Sequence, residues 1–281
     1  MNEPRAPAVE AFLQAFHDAQ PGVTAQAFGA QPVRFGGCDW PSSYDVLAAA
    51  LPEDNAYTRV LDLACGDAPL LDRLAARGAG RRRLAGVDLS AGELARARAR
   101  LGPGVPLLRA RAQALPFADG AFDAVLSHLA LMLMAELDTV VAEGRRVLRP
   151  GGLLAAVVGA PTLPVPAAIT VFRAAMADRE RLPTWAGVRF GDRRWHAPDG
   201  VRELLAPQFE AIDVGEIHLA QRLAPEATWA HLLGMYDLHL LAEGERHRVR
   251  DAFLAGVAPH TGADGRLDLP RTLWRMTARA R

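Results

Sequence analysis

The sequence predicts an α/β fold, a mostly parallel sheet with helices on both of its faces. Three observations predict it. Apolar runs alternate with helical patterns from about residue 59 to residue 160, and such alternation builds a parallel sheet covered on both sides. The run Arg59-Val-Leu-Asp-Leu-Ala-Cys-Gly-Asp-Ala-Pro69 breaks at Gly66 and passes at once into Leu70, Leu71, Leu74 and Ala75, spaced for one apolar helix face. A second apolar run, Leu84 to Val87, ends in Asp88, 22 residues beyond Gly66. An acid at that distance, at the carboxyl end of a strand, can accept both hydroxyls of a ribose.

The chain has 281 residues, half of them hydrophobic, enough for one large domain with a sizeable core. Its 32 basic and 32 acidic residues cancel, so nothing points to a nucleic-acid partner. Every one of those basic residues is arginine, and they are scattered. Two cysteines, Cys38 and Cys65, make neither a disulfide framework nor a zinc site. No signal peptide is evident after Met1 and no run approaches the length of a membrane span; a cytoplasmic protein without membrane contact is the expectation.

Taken in order, residues 6 to 19 place Val9, Phe12, Leu13 and Phe16 at helical spacing before Pro21-Gly22. A glycine-rich stretch, Phe35-Gly36-Gly37-Cys38, leads to Trp40-Pro41, and Ser42 with Asp45 three residues on reads as a helix N-cap. Strands are expected near 59–64, 84–88, 106–109, 121–127 and 153–159, with helices near 69–77, 91–101 and 136–148. Residues 161 to 198 break the alternation with Pro161, Pro164, Pro166, a helical run from Ala167 to Met176, and a loop rich in aromatics and arginines from Trp185 to His196. A helix from Pro198, a strand over 209–219, helices over 225–241 and 243–257, and a closing strand through Leu267 and Thr272 to Thr277 complete the chain. No repeat or linker separates a second domain. The expected organisation is a single domain over 1–281, with N-terminal helices in 1–52, a core in 55–160, an insertion in 161–198, and C-terminal strands in 199–281 interrupted by the helices of 225–257.

The strand–turn–helix around Gly66 resembles the first motif of class I S-adenosylmethionine-dependent methyltransferases. Leu115-Pro116-Phe117-Ala-Asp-Gly-Ala-Phe122-Asp123, the strand Ala124 to Ser127, and Leu148-Arg149-Pro150-Gly151-Gly152 fit that family's later segments in order. A dinucleotide-binding turn fits less well, because Ala64-Cys65-Gly66-Asp67-Ala68 lacks the Gly-x-Gly-x-x-Gly pattern. The resemblance implies a Rossmann-like, mostly parallel seven-stranded sheet with helical lid insertions. It also implies S-adenosylmethionine as cofactor, S-adenosylhomocysteine as product, and a small-molecule acceptor, with specialised metabolism as a compatible setting. The cofactor contacts it implies are Asp62, Ala64, Cys65, Gly66, Asp88, Leu89, Ala112, Gln113, Ser127 and His128.

Two positions depart from the family pattern. Ala68 stands where many relatives carry glycine and would narrow the space beside the methionine moiety. Ala110-Arg111-Ala112 stands where the family usually shows Gly-Asp-Ala, whose acid accepts from the adenine amino group. Arginine cannot accept a hydrogen bond; the Gln113 carbonyl oxygen can, and the Ala112 amide can meet the adenine ring edge. After the fourth strand, Ser127-His128-Leu129-Ala130-Leu131-Met132 lacks the Asn/Asp-Pro-Pro-aromatic motif of enzymes that methylate nucleobases or glutamine amides.

Methyl transfer from a sulfonium needs the acceptor held against the methyl group and water excluded; a base is needed only where the acceptor must lose a proton. His128 is the candidate catalytic residue, with two readings open, a general base or a residue that orients the cofactor and packs. Tyr44, Met132, Trp185, Trp195, Tyr236 and His239 are candidate acceptor contacts, with 161–198 and 225–257 as the enclosing segments. For Tyr44 and for the Tyr236/His239 face, ordinary packing of a helix onto the sheet is the alternative. No metal-ligand set is apparent, and the oligomeric state is open. Two rival functions remain, a cofactor-binding catalyst of cyclisation or rearrangement and a non-enzymatic binding partner.

Overall fold

The computed structural model of the protein describes residues 6–52, 59–78, 82–177, 191–234 and 236–281. The chain opens with α1 (Ala6–Ala19) and α2 (Val23–Phe28), a hairpin of β1 (Val33–Phe35) and β2 (Cys38–Trp40), and α3 (Ser43–Ala48). The alternating core follows as β3 (Arg59–Leu63), α4 (Pro69–Gly78), β4 (Arg83–Asp88), α5 (Ala91–Leu101), β5 (Leu107–Arg109), β6 (Phe122–His128), α6 (Leu137–Val147) and β7 (Leu148–Gly159). The C-terminal part contains α7 (Ala167–Ala175), α8 (Pro198–Leu205), β8 (Phe209–Leu219), β9 (Arg222–Leu223), α9 (Pro225–Leu232), α10 (Tyr236–His239), α11 (Glu243–Val257), β10 (Leu267–Asp268) and β11 (Arg271–Ala280).

The main sheet runs β2-β1-β8-β11-β7-β6-β3-β4-β5. Strands β7, β6, β3, β4 and β5 are parallel neighbours, and β11 inserts antiparallel between β7 and β8. The α/β class expected from the sequence is what the chain forms, but nine strands replace the expected seven among the described residues. The extra pair is the β1–β2 hairpin, which joins β8 through Arg34 opposite His218. Its turn is Gly36-Gly37, both with positive φ (59° and 78°), which suits a two-residue hairpin turn whose twist matches the strands. Strands of three residues carry too little periodicity to be read beforehand. The expected closing strand is likewise divided: Leu267 and Asp268 pair with β9 in a separate ribbon, and Pro270 precedes β11.

Successive residues of each buried strand feed opposite faces of the sheet. Val60, Ala124, Leu126, Ala155 and Val157 join Leu47, Leu70, Leu71, Leu74 and Leu94 on one side. Leu61, Leu63, Val125, Leu154 and Val158 join Val140, Val141, Leu204 and Leu205 on the other. Continuous apolar strands are what two covered faces require. Helix α4 packs so closely on the sheet that a Cβ at Gly86 would lie 2.9 Å from Leu71 Cδ1 and 2.8 Å from Cys65 Sγ. A third cluster, including Phe172, Trp229, Leu232, Phe253 and Val257, joins α7, α9 and α11. The sheet's parallel strands therefore end together along one edge, which is where an open α/β sheet presents its binding residues.

Candidate functional site

A cavity lies at the carboxyl ends of β3, β4 and β6, under α1. Its floor is the turn after β3. Ala64, Gly66 and Ala68 all have left-handed backbone, with φ of 58°, 54° and 65°. That conformation costs an alanine roughly 1–2 kcal/mol, and such strain collects where a site requires a particular backbone path. The turn is held by Cys65 N–H donating to Val87 O at 2.9 Å and Ala68 N–H to Cys65 O at 2.9 Å. Ala68 is fully buried in the core and does not line the cavity, so it does not narrow the space there. The left-handed φ accounts for why glycine suits that position.

Asp88, at the end of β4, ties the turn to the next helix. Its Oδ2 accepts from Gly66 N–H and its Oδ1 from Ser90 N–H, both at 2.8 Å. Burial pushes its carboxyl up, and the Ser90 and Gly66 amides oppose that rise. Each oxygen keeps lone-pair capacity for a further donor, and the side chain lines the cavity. Asp62, at the end of β3, also lines it. Asp62 is fully buried, Oδ2 has no hydrogen-bond partner, and burial, followed by the Asp88 charge, pushes its carboxyl well up. A buried carboxyl oxygen without a partner among the described residues is suited to a donor from a ligand.

Helix α1 covers the cavity with Glu10, Leu13, Gln14 and His17, at the i, i+3, i+4, i+7 spacing of one helix face. Four attachments hold it. The Glu10 carboxylate accepts two hydrogen bonds from Arg111, at 2.8 and 2.9 Å, and one from Gln113 Nε2 at 2.8 Å. Asp18 accepts from Ser90 Oγ and Gly92 N–H at the start of α5, and these bonds hold its carboxyl below the usual range. The buried Glu93 carboxylate meets His17 Nδ1 at 2.9 Å and accepts from Gly22 N–H at 2.9 Å. His17 Nε2 in turn meets the Tyr236 hydroxyl at 3.0 Å. Glu93, His17 and Tyr236 thus form one chain across α5, α1 and α10, and burial raises the Tyr236 phenol.

His128, at the end of β6, lines the cavity and stacks on Tyr44 with ring centroids 3.6 Å apart. Its Nε2 meets Ser43 Oγ at 2.9 Å, while Nδ1 is buried without a partner. Burial, then the Arg73 charge, lowers its pKa to about 3. A ring that stays neutral at pH 7 and is so weakly basic is a poor proton acceptor.

Of the residues singled out in the sequence, Asp62, Ala64, Cys65, Gly66, Asp88, Leu89, Ala112, Gln113, His128, Tyr44 and Tyr236 meet around the cavity. Ser127 does not line it; its hydroxyl donates to Leu63 O at 2.9 Å and joins β6 to β3. Trp195 is fully buried in the core rather than at an acceptor wall. Met132 packs between the two core faces, and His239 packs on Phe16, with ring centroids 4.7 Å apart, behind the lining. Trp185 lies outside the described residues. In the described parts of 161–198, α7 joins the third cluster and Trp195 the core; among the described residues α1 covers the cavity, with Tyr236 of α10 from the expected 225–257 segment beside it. Glu10, His17 and Glu93 escaped sequence reading; the polar spacing 10, 14, 17 along an otherwise apolar helix is the signal that could have found α1's contribution.

The cavity is rich in acid. Asp67 is ion-paired with Arg100 and Glu93 is hydrogen-bonded to His17, but Asp62 and Asp88 have no ion pair among the described residues. Such a site suits a ligand with positive charge and hydroxyl donors. Among the described residues no helix is long and apolar enough to cross a membrane, and no group of three or more His, Cys, Asp or Glu could hold a metal ion.

A sequence profile described as "Methyltransferase domain" matches residues 61–156. The chain is 36% identical over 167 residues to the demethylmenaquinone methyltransferase of Thermus thermophilus, covering 57% of this chain and 74% of that one. It is 38% identical over 101 residues to the uncharacterized methyltransferase sll0829 of Synechocystis, covering 35% of this chain and 46% of that one. The chain therefore spans from about half to three-quarters of these relatives' length. Among solved structures, that of the [4+2]-cyclase SpnF has a TM-score of 0.56 over 95% of this chain and 94% of its own, at 21% identity, a likeness of fold.

The buried histidines set a pH dependence of stability. His128 and His231 have folded pKa values of about 3 and about 4, both lowered by burial, against about 6.5 in an unfolded chain. As pH falls below about 6.5 only the unfolded chain takes the protons, so stability is full above that pH and is lost toward pH 4 and below. Each group contributes a slope of up to about 1.4 kcal/mol per pH unit. Urea unfolding of His128→Asn between pH 4 and 7 is expected to show a slope smaller by about one proton; a slope equal to the parent's would contradict a neutral buried ring.

Proposed function

The chain belongs to the class I S-adenosylmethionine-dependent methyltransferase family, and on that premise we propose that it moves a methyl group from S-adenosylmethionine to a small organic acceptor. The observation that carries the proposal is Asp88, a buried carboxylate at the end of β4, bridging the Gly66 turn and Ser90 while lining the cavity. The residues fit the cofactor. Asp88 has acceptor capacity for the ribose hydroxyls, and the unpartnered Asp62 Oδ2 is suited to the ammonium of the methionine part. Leu89, Ala112 and Gln113 line the cavity and are assigned to the adenine, with Glu10 held beside them by Arg111 and Gln113.

Bound there, S-adenosylmethionine supplies a methyl carbon already activated by a positively charged sulfur. The chain's own part is to align the acceptor, exclude water under α1, and take a proton where the acceptor carries one. We assign His128 and Tyr44 to the wall beside the reacting end, His128 positioning rather than accepting a proton. Proton removal falls to Tyr236: its oxygen takes the acceptor's proton as its own passes to His17 Nε2, and Glu93 stabilises the resulting imidazolium through Nδ1–H. A cytoplasmic location and a single-domain organisation complete the reading. The rival reading, a rearrangement that leaves the cofactor unchanged, is separated from it by whether S-adenosylhomocysteine is released.

Titration calorimetry is expected to show S-adenosylmethionine binding to the parent and a loss of about 1.5–3 kcal/mol in Asp88→Ala, the size of a hydrogen bond to a charged group. Equal affinity in the two proteins would remove Asp88 from the site. With phenol, carboxylate and amine acceptors screened by S-adenosylhomocysteine release, Tyr236→Phe is expected to slow acceptors that are protonated at the assay pH by about a hundredfold. Acceptors already ionised should be affected far less, and cofactor affinity should not change. A uniform loss across both acceptor kinds would rule out Tyr236 as the proton acceptor.

A further inference from the structure

A second cleft opens on the same edge of the sheet, where β7 ends, β11 begins and β8 ends. Thr272 N–H donates to Thr162 Oγ1 at 2.9 Å and Thr272 O accepts from Ala160 N–H at 3.1 Å, so this corner is fixed. Arg271, the first residue of β11, lines the cleft. Its guanidinium lies over the Phe28 ring, 5.4 Å from the centroid. It makes no hydrogen bond or ion pair with any described residue, although neighbouring arginines such as Arg222 are paired with acids. Burial alone shifts its pKa, down to about 10, so it is still charged at neutral pH. His231 is close enough that the Arg271 charge adds to the lowering of its pKa, and His218 and His260 also line the cleft.

A largely buried cation without a counter-charge among the described residues is costly, and a local cost of that kind is expected at functional sites. The rim indicates the ligand's other half. Leu163 is 79% exposed and Val165 38% exposed; both line this cleft. The Phe28 ring lies between Arg271 and His128 of the first cavity, edge-on to the latter with centroids 6.4 Å apart.

We propose that Arg271 and the cleft around it bind an organic acid with an apolar body, its carboxylate on the guanidinium and its body against Leu163 and Val165. As a subsite for the methyl acceptor the cleft rests on the methyltransferase reading; as a binding site it does not. Cation–π contact with Phe28 orients the guanidinium in the absence of ligand, and a carboxylate supplies the charge-assisted partner it lacks.

The test is urea unfolding and calorimetry on the full chain with octanoate, acetate and inorganic phosphate as probes. Octanoate is expected to stabilise the parent in a concentration-dependent way, more strongly than acetate or phosphate at equal concentration. Arg271→Met is expected to unfold at the same or higher urea concentration than the ligand-free parent, because a buried unpaired charge is removed, and to bind octanoate at least tenfold more weakly. Arg271→Lys, which keeps the charge and so guards against a folding defect in the methionine variant, should retain an intermediate response. The proposal is overturned if the parent does not respond to octanoate, if either variant responds as the parent does, or if Arg271→Met folds but is less stable and still binds. Phosphate binding more tightly than octanoate would overturn the organic-acid class. S-adenosylmethionine affinity, measured on the same preparations, should be unchanged in Arg271→Met; its absence from the parent would fail the methyltransferase reading and leave the octanoate result standing.

Discussion

The Asp88 carboxylate is the interaction on which the site depends. One of its oxygens fixes the Gly66 amide in a turn with two left-handed alanines, and the other fixes Ser90, the N-cap of α5. Together with the Cys65 N–H to Val87 O bond, it sets the position of the turn and of the start of α5 relative to β4. Much of α1 is then attached to α5: Asp18 to Gly92 N–H and Ser90, and His17 to Glu93, which also accepts from Gly22 N–H. The cover of the cavity is thus registered to the floor through α5, with Glu10 on Arg111 and Gln113 as a second anchor.

The electrostatics follow from that arrangement. Several carboxylates converge on the cavity, Asp62, Asp67 and Glu93 among them buried, and like charges at short range in low dielectric raise one another's pKa. The chain satisfies some of them internally, Asp67 with Arg100 and Glu93 with His17, and leaves Asp62 Oδ2 open. Burial disfavours charge on the His128 ring, while the His17 ring sits against a carboxylate at 2.9 Å and a phenol at 3.0 Å. The two histidines at the cavity thus stand in different surroundings. Arg271, without an ion pair among the described residues, lies further along the same edge, carries the opposite sign and stands outside this acidic group.

What was legible in the sequence is what short-range pattern encodes. Buried parallel strands are unbroken apolar runs, helices carry one apolar face, and Asp88 stands at a strand end at a spacing that chemistry constrains, so β3 to β7 and the cavity floor could be read. Ser42 as an N-cap was readable for the same local reason, its Oγ accepting from Asp45 N–H at 3.3 Å. The cover was not readable in detail, because Glu10 meets Arg111 and His17 meets Tyr236 across 101 and 219 residues. Trp195 was assigned to the acceptor wall because an aromatic in a polar loop has the same sequence appearance whether it faces a ligand or the core; packing alone decides. The β1–β2 hairpin was missed because its ladder is completed by β8, far away in the chain.

The central claim, that the space between the Gly66 turn and α1 holds the methyl donor, is tested most directly by a crystal structure of the chain with S-adenosylhomocysteine. The ribose hydroxyls are expected on the Asp88 carboxylate, with that carboxylate still accepting from Gly66 and Ser90, and the amino group of the homocysteine on Asp62. A ligand seated elsewhere on the sheet edge, or a ribose turned away from Asp88, would contradict it.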